Sequence, residues 1–281
     1  MKNIIVGIDF SPNSINALKH AIAISIKSGG AIHLVWVKSP STAKVLEPDI
    51  KDNILHIAQA KLNELLKDCK AEVPKSEAHS IILEGKPANE MIKYASNLPD
   101  SMIVMGTHGV SGFEEMFVGS NAFKVVSMSP IPVMVLREGI QINRDLTQIL
   151  VPIDTSFETL QKMKYAIKFA KAFSAKILLL GLLSEQPETK HIVSVQLGHA
   201  MRMLEQANIR HDWTSLEIKG NITKAVVDFA KEADVNLMII MREEEQEFSD
   251  FWLGTTTRQI LNTTPMPLLI IPNITHFAIT R

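Results

Sequence analysis

An α/β fold laid down twice in tandem is what this chain of 281 residues predicts, and two observations carry the prediction. Short apolar runs bounded by turn residues alternate with segments whose apolar residues recur at helical spacing, the pattern of a parallel sheet covered by helices on both faces. The pattern then restarts: Ile149-Leu150-Val151-Pro152-Ile153-Asp154-Thr155-Ser156 restates Ile4-Ile5-Val6-Gly7-Ile8-Asp9-Phe10-Ser11, so that Asp154 stands 145 residues after Asp9. Length agrees, since the chain is too long for one small domain and suits two of ordinary size.

The elements follow in order. Ile4-Ile5-Val6-Gly7-Ile8 is a buried strand, after which Ser11 is placed to cap a helix and Pro12 to open it. Ile15, Leu18, Ile22 and Ile26 mark that helix's apolar face, and Ser28-Gly29-Gly30 stops it before a second strand, Ile32 to Val37. Residues 38 to 50, with Pro40 and Pro48, look irregular. Helical spacing resumes from Ile54 through Ile57, Ala58, Leu62, Leu65 and Cys69. A third strand near His79 to Leu83 ends at Glu84-Gly85, and Pro87 opens a helix with Met91, Ile92 and Ala95 on one side. Met102-Ile103-Val104-Met105 is the fourth strand, Asn121 to Met128 the next helix, and Val133 to Leu136, led by Ser129-Pro130-Ile131-Pro132, the fifth strand. Later landmarks of the second copy, Gly220, Gly254 and Pro267, each stand 135 residues after Gly85, Gly119 and Pro132. The second copy is therefore about ten residues shorter between its second and third strands, a change that loops tolerate. The boundary between copies falls at Ile140 to Asp145, giving domains 1–142 and 143–281.

Composition narrows the function. Hydrophobic residues at 46% and charged residues at 21% fit a globular protein, and no apolar run is long enough to span a bilayer. Met1-Lys2-Asn3 leads straight into a strand, so no signal peptide is expected. The lone Cys69 excludes an internal disulfide and lies on a helix's apolar stripe, which suits a core residue of a cytoplasmic protein. A net charge of −1 without a long basic run argues against nucleic acid as partner.

One stretch invites chemistry. Between the fourth strand and the following helix lie Gly106, Gly109 and Gly119-Ser120. A strand, a glycine loop and a helix start gather backbone N–H groups and the positive end of the helix dipole around one point, which suits an anion such as phosphate. Taken alone the three glycines fit an ordinary connection equally well. In sheets of this kind ligands bind beyond the carboxyl ends of the strands where the winding reverses, and Asp9, Val37 and the glycine loop all follow strand ends.

Together, the ending Ile8-Asp9-Phe10-Ser11, the ending Val35-Trp36-Val37, the turn Glu84-Gly85-Lys86-Pro87, the loop Gly106/Gly109/Gly119-Ser120 and the proline-led last strand resemble the universal stress protein family, in tandem, over nearly the whole chain. The resemblance implies two Rossmann-like domains, each with a five-stranded parallel sheet. It also implies ATP, with or without magnesium, in the first copy: Asp9 and Val37 against the adenosine, and Gly106, Gly109, Gly119, Ser120 and Asn121 on the phosphates. It further implies pairing of the two domains through their last strands, Val133 to Leu136 and Leu268 to Ile271, while a homodimer of such chains stays open.

The residues by themselves keep alternatives. A carboxylate at position 9 can accept a hydrogen bond from ribose or adenine, or cap the helix start. Val37 can pack on a base, bond it through its backbone, or belong to the core. His108 can touch a phosphate or simply sit in an exposed loop. In the second copy the positions of Gly106 and Gly109 are Met241 and Glu244, within Met241-Arg242-Glu243-Glu244-Glu245. Three carboxylates there would repel phosphates, so that copy reads as a degenerate structural partner with a solvated acidic loop, although Gly254-Thr255 keeps the helix-start half of the motif. No GxxxxGK[ST] or GxGxxG occurs, and His191, His199 and His211 lack zinc-ligand spacing. Between Gly106 and Ser120 there is no lysine or arginine, Lys124 coming a turn later, so phosphoryl transfer lacks its usual cation. The expectation is an ATP-binding regulatory protein with no catalytic residue and no metal site of its own, hydrolysing weakly at most; the competing readings are a ligand-free scaffold and a slow ATPase.

Overall fold

The computed structural model describes residues 1–39, 48–107, 119–137, 146–243 and 254–273, the first five residues of the 48–72 helix by backbone alone. Two compact units divide the chain, Met1–Ile142 and Asn143–Arg281.

The first unit runs β1 (Asn3–Gly7), α1 (Pro12–Ser28), β2 (Ala31–Lys38), α2 (Pro48–Glu72), β3 (Ala78–Glu84), α3 (Pro87–Ser96), β4 (Ser101–Gly106), α4 (Ser120–Met128) and β5 (Val133–Leu136). Its strands lie in the order β3-β2-β1-β4-β5, every neighbouring pair parallel. The chain therefore winds outward through β2 and β3, returns past β1 and continues to β4 and β5. The reversal sits between β1 and β4, where their carboxyl ends open a crevice. Ile4, Ile5 and Val6 are all fully buried; since adjacent strand residues face opposite sides, both faces of the sheet are covered.

Local sequence explains the elements. Ser11 caps α1, its hydroxyl accepting the Ser14 N–H at 3.2 Å, with Pro12 in the first turn and Gly29 closing the helix at φ 71°. Ile26, expected on the apolar face, is half exposed, and Ala17, Leu18, Ala21, Ile22 and Ser25 make the buried stripe instead. The irregular stretch after β2 gives way to helix already at Pro48, earlier than the spacing from Ile54 suggests, because proline is at home in a first helical turn. Cys69 is buried in α2, and desolvation, with Glu72 second, pushes its thiol up to about 11.

The second unit repeats the plan with β6 (Gln148–Ile153), α5 (Met163–Phe173), β7 (Lys176–Leu183), α6 (Pro187–Gln206), β8 (His211–Glu217), α7 (Ile222–Glu232), β9 (Leu237–Met241), α8 (Thr255–Thr263) and β10 (Leu268–Ile271). The order is β8-β7-β6-β9-β10, again all parallel. Gly85 and Gly220, in matching turns, hold φ of 144° and 88°, a backbone that glycine alone adopts without strain. One difference matters later. Counting 145 residues from Pro12 leads to Phe157, yet α5 begins only at Met163. The intervening stretch is wound by tighter bonds, Gln161 N–H to the Glu158 carbonyl at 2.8 Å and Met163 N–H to that of Leu160 at 3.1 Å.

Among the described residues no helix is long and apolar enough to cross a membrane, and no group of three His, Cys, Asp or Glu side chains could hold a metal ion. His191 and His199 both lie on α6 without forming such a group.

Candidate functional site

The crevice of the first unit is built from three adjacent strand ends. Gly7 pairs with Val35 and Val6 with Val104; continuing that register brings Asp9 level with Val37 on one side and Thr107 on the other, each about 5 Å away across the sheet. Thr107 then turns the chain back: its N–H donates to the Leu136 carbonyl at 2.9 Å and its carbonyl accepts the N–H of Gly119 at 2.5 Å. That last bond holds the start of α4 against the end of β4, so Gly119, Ser120 and Asn121 face the same crevice rim as Asp9 and Val37. Gly109 and His108 lie outside the described residues.

Gly119 is the N-cap of α4 and supplies no side-chain bond to the first turn. Ser120 and Asn121 are exposed. Among the described residues no side chain caps the leading N–H groups of this nine-residue helix, whose N-terminus carries partial positive charge.

Asp9 does two things at once. Its Oδ1 accepts the Ser11 N–H at 3.0 Å and the Ser11 hydroxyl at 2.6 Å, while its own N–H donates to the Ser14 hydroxyl at 3.3 Å. The carboxylate thus secures the helix-start turn through one oxygen, and Oδ2 has no hydrogen bond among the described residues. Phe10, next in the chain, sits at φ 64°, a left-handed conformation costly for a bulky residue that marks a constrained turn. Its ring lies 6.5 Å from that of Trp36, and the Lys61 ammonium stands 5.3 Å over it. No sequence signal distinguishes Phe10 or Lys61, because positive φ at a non-glycine and a contact with α2 across 51 residues of chain are tertiary facts.

Val37 is half-buried. The Val35 carbonyl accepts the Ile8 N–H at 2.9 Å, so the backbone of Val35 faces β1. Val37, two residues on, faces the same way, but β1 has ended. Its N–H and carbonyl have no backbone partner on that side among the described residues, leaving a donor and an acceptor directed into the crevice beside Asp9.

Gly106 has a packing reason to be glycine beside the one its motif suggests. A Cβ there would come within 2.9 Å of the Asn13 backbone carbonyl in α1. The close approach is that of a helix onto the strand end. Met241 is accommodated at the matching place in the second unit, where α5 starts later.

The second unit also changes the helix start. The acidic run is not merely solvated: the Glu243 carboxylate accepts the Thr256 N–H at 3.0 Å in the first turn of α8, and its Cγ lies where a Cβ on Gly254 would come within 2.6 Å. The chain's own carboxylate therefore occupies the anion position at that helix. Glu244 lies outside the described residues.

Comparison with known proteins agrees with the architecture. A family model described as the universal stress protein family matches residues 1–137 and again residues 146–272. A universal stress protein of Methanocaldococcus jannaschii is 32% identical over 140 residues, which make 49% of this chain and 82% of that protein. One from Bacillus subtilis is 29% identical over 143 residues, 47% of this chain and 97% of its own. Among solved structures, a universal stress protein from Archaeoglobus fulgidus superimposes with a TM-score of 0.79 at 20% identity, covering 96% of this chain and 98% of that one. At that identity the likeness is one of fold.

Proposed function

The chain belongs to the universal stress protein family, and on that premise we propose that its first unit, residues 1–142, is an ATP-binding regulatory domain while the second, residues 143–281, is a partner that has given up the phosphate site. The observation that carries this reading is the contrast between the two helix starts. Among the described residues no side chain accepts a leading N–H of α4 in the first unit, whereas in the second the Glu243 carboxylate accepts the Thr256 N–H in the first turn of α8. An anion belongs at the first and is excluded from the second.

The residues fit an adenine nucleotide in order along the crevice. The backbone N–H and carbonyl of Val37 offer a donor and an acceptor to the edge of a base, as adenine requires. Oδ2 of Asp9 is placed for a ribose hydroxyl. Gly119, Ser120 and Asn121 would take phosphate oxygens through the leading N–H groups of α4 and the two side chains, and Gly106 and Gly109 belong to the same loop. Magnesium, where present, would come with the phosphates. The chain supplies binding and orientation. Between Gly106 and Ser120 the sequence holds no lysine or arginine to stabilise charge developing on a transferred phosphoryl group, which favours a bound nucleotide that acts by stabilising one conformation over one that is turned over. Pairing of the two units through β5 and β10, and of two chains with each other, belongs to the same proposal; residues 1–142 expressed alone would then self-associate instead of remaining monomeric.

The test is direct. Protein purified from cells is extracted and the nucleotide content read by chromatography, followed by calorimetry with ATP on the emptied protein and on Gly119→Glu. Retained adenine nucleotide and saturable ATP binding that Gly119→Glu abolishes are expected, with ADP formation slow. The absence of both nucleotide and binding would leave a ligand-free scaffold, and rapid magnesium-dependent ADP formation lost in Gly119→Glu would make the protein an ATPase.

A further inference from the structure

The second unit has a crevice of its own at the carboxyl ends of β6 and β9, with a volume of about 430 Å³. Deep in it lies an unusual group. Lys162 lines the cavity and is 1% exposed. Its ammonium donates to the Thr159 hydroxyl at 3.1 Å, and among the described residues it makes no other hydrogen bond and no ion pair. A buried ammonium with one neutral partner is an expensive arrangement, since buried charges are ordinarily paired.

The first unit shows that the fold does not demand it. Asp154 donates its N–H to the Thr159 hydroxyl at 3.3 Å, as Asp9 does to that of Ser14, so the offset of 145 residues still holds at this turn. It places Lys162 where the first unit has Ala17, a fully buried alanine in α1. The chain before α5 is wound by the tighter turns noted above, and Lys162 lines the crevice. Arg242, which also lines the cavity, stands where the first unit has Thr107. Two buried cationic positions have thus been gained in the crevice that lost its phosphate-binding helix start.

The remaining lining defines what could pair with Lys162. Leu182, Ile222, Val226 and Ile260 form an apolar wall, and Phe157, 91% exposed, stands between the lining residues Ser156 and Glu158. Asp154, Glu158 and Glu243 line the polar side. Three carboxylates against two cations leave no surplus of positive charge for a polyanion, and Glu243 already holds the α8 N–H of Thr256. A nucleoside triphosphate does not suit this cavity. What Lys162 lacks among the described residues is one acceptor of opposite charge at hydrogen-bond distance, and the wall suits a single carboxylate carried on an apolar body.

We propose that the crevice of the second unit binds a small organic carboxylate with an apolar tail, its carboxylate paired with the Lys162 ammonium and its tail lying on Leu182, Ile222, Val226 and Ile260. The inference concerns residues that the nucleotide reading of the first unit does not use. Buried Lys162 supplies a charge-assisted bond that a neutral head group cannot replace, and the apolar wall supplies affinity in proportion to the surface covered. The domain that lost ATP would in this way sense a metabolite of a different class.

The full-length protein tests this with octanoate as probe and octanol as its neutral counterpart, by calorimetry and by thermal unfolding. Octanoate is expected to bind a single site at millimolar concentration or below and to raise the unfolding temperature, with octanol at least about tenfold weaker, the loss expected when one charge-assisted hydrogen bond is removed. Lys162→Met is expected to weaken octanoate by a similar factor while leaving octanol unchanged. Leu182→Trp, at a half-exposed position that tolerates bulk, is expected to weaken both. Saturating ATP leaves octanoate binding in place. The proposal is overturned if octanoate does not bind the wild-type protein, if octanol binds as well, if Lys162→Met keeps full affinity, or if ATP competes.

Discussion

Replacing Lys162 by methionine should stabilise the ligand-free second unit at neutral pH and lose that advantage in alkali. Lys162 is 1% exposed, and desolvation lowers its pKa from 10.5 to about 8, opposed by the Asp154 carboxylate. At roughly 1.4 kcal/mol for each pH unit, that depression means that the folded state carries a penalty of about 3 kcal/mol while the amine is charged. Methionine keeps most of the volume and none of the charge, and Ala17 in the first unit shows that an apolar side chain belongs there. Against the gain stands the lost bond to the Thr159 hydroxyl, about 1.5 kcal/mol for a charged donor. A net stabilisation of about 1 to 2 kcal/mol follows below about pH 8. The sign with pH is fixed by linkage: between pH 8 and 10.5 the unfolded lysine holds its proton while the folded one has released it, so wild-type stability rises with pH across that window and that of Lys162→Met does not. The gap between the two proteins should close, then reverse, as the pH is raised. Urea unfolding followed by hydrogen exchange in peptides from β6 and β9 reports the second unit separately from the first. A gap of equal size near pH 7 and near pH 10, or a variant less stable than wild type near pH 7, would refute the account of a charged, buried and poorly paired amine.

Two further outcomes are expected. Gly106→Ala would push a methyl group into the Asn13 backbone and should destabilise the first unit by about 1 to 3 kcal/mol through displacement of α1; denaturation monitored in β1 and β4 checks this, and a neutral effect would return Gly106 to a ligand-only role. Glu243→Ala removes the carboxylate that accepts the Thr256 N–H and should cost about 1 kcal/mol, read as faster exchange of the first amides of α8, while a fully protected helix start would show that Glu243 is not its cap.

The order of strands and helices was legible because burial imposes its period on the chain. Ile4-Ile5-Val6 and Ile149-Leu150-Val151 are apolar at every position because both faces of each sheet are covered, and Ser11-Pro12 announces a helix by chemistry local to four residues. The crevice of the first unit was legible in outline for the same reason, its landmarks being strand ends and a helix start that fall where the apolar runs stop. What could not be read was the purpose of individual residues there. Gly106 reads as a ligand-facing glycine and is also the seat of a helix, since the approach of Asn13 is made by a segment more than ninety residues away in the chain.

The sequence by itself therefore determined the duplicated α/β plan, the place of the crevices and the loss of glycine from the second of them, all of which follow from residue type and spacing along the chain. Only the tertiary structure decided what the second crevice gained. Lys162 lies in an unremarkable run, Leu160-Gln161-Lys162-Met163, where a lysine would be taken for a solvated helix residue; it is buried because its position, like that of Ala17 in the first unit, lies inside the packed unit. Glu243 reads as one of several acids and becomes a cap only when α8 is brought to it. Depth and partnership are properties of how segments distant in sequence are packed, and for these two residues they reverse the meaning of the charge.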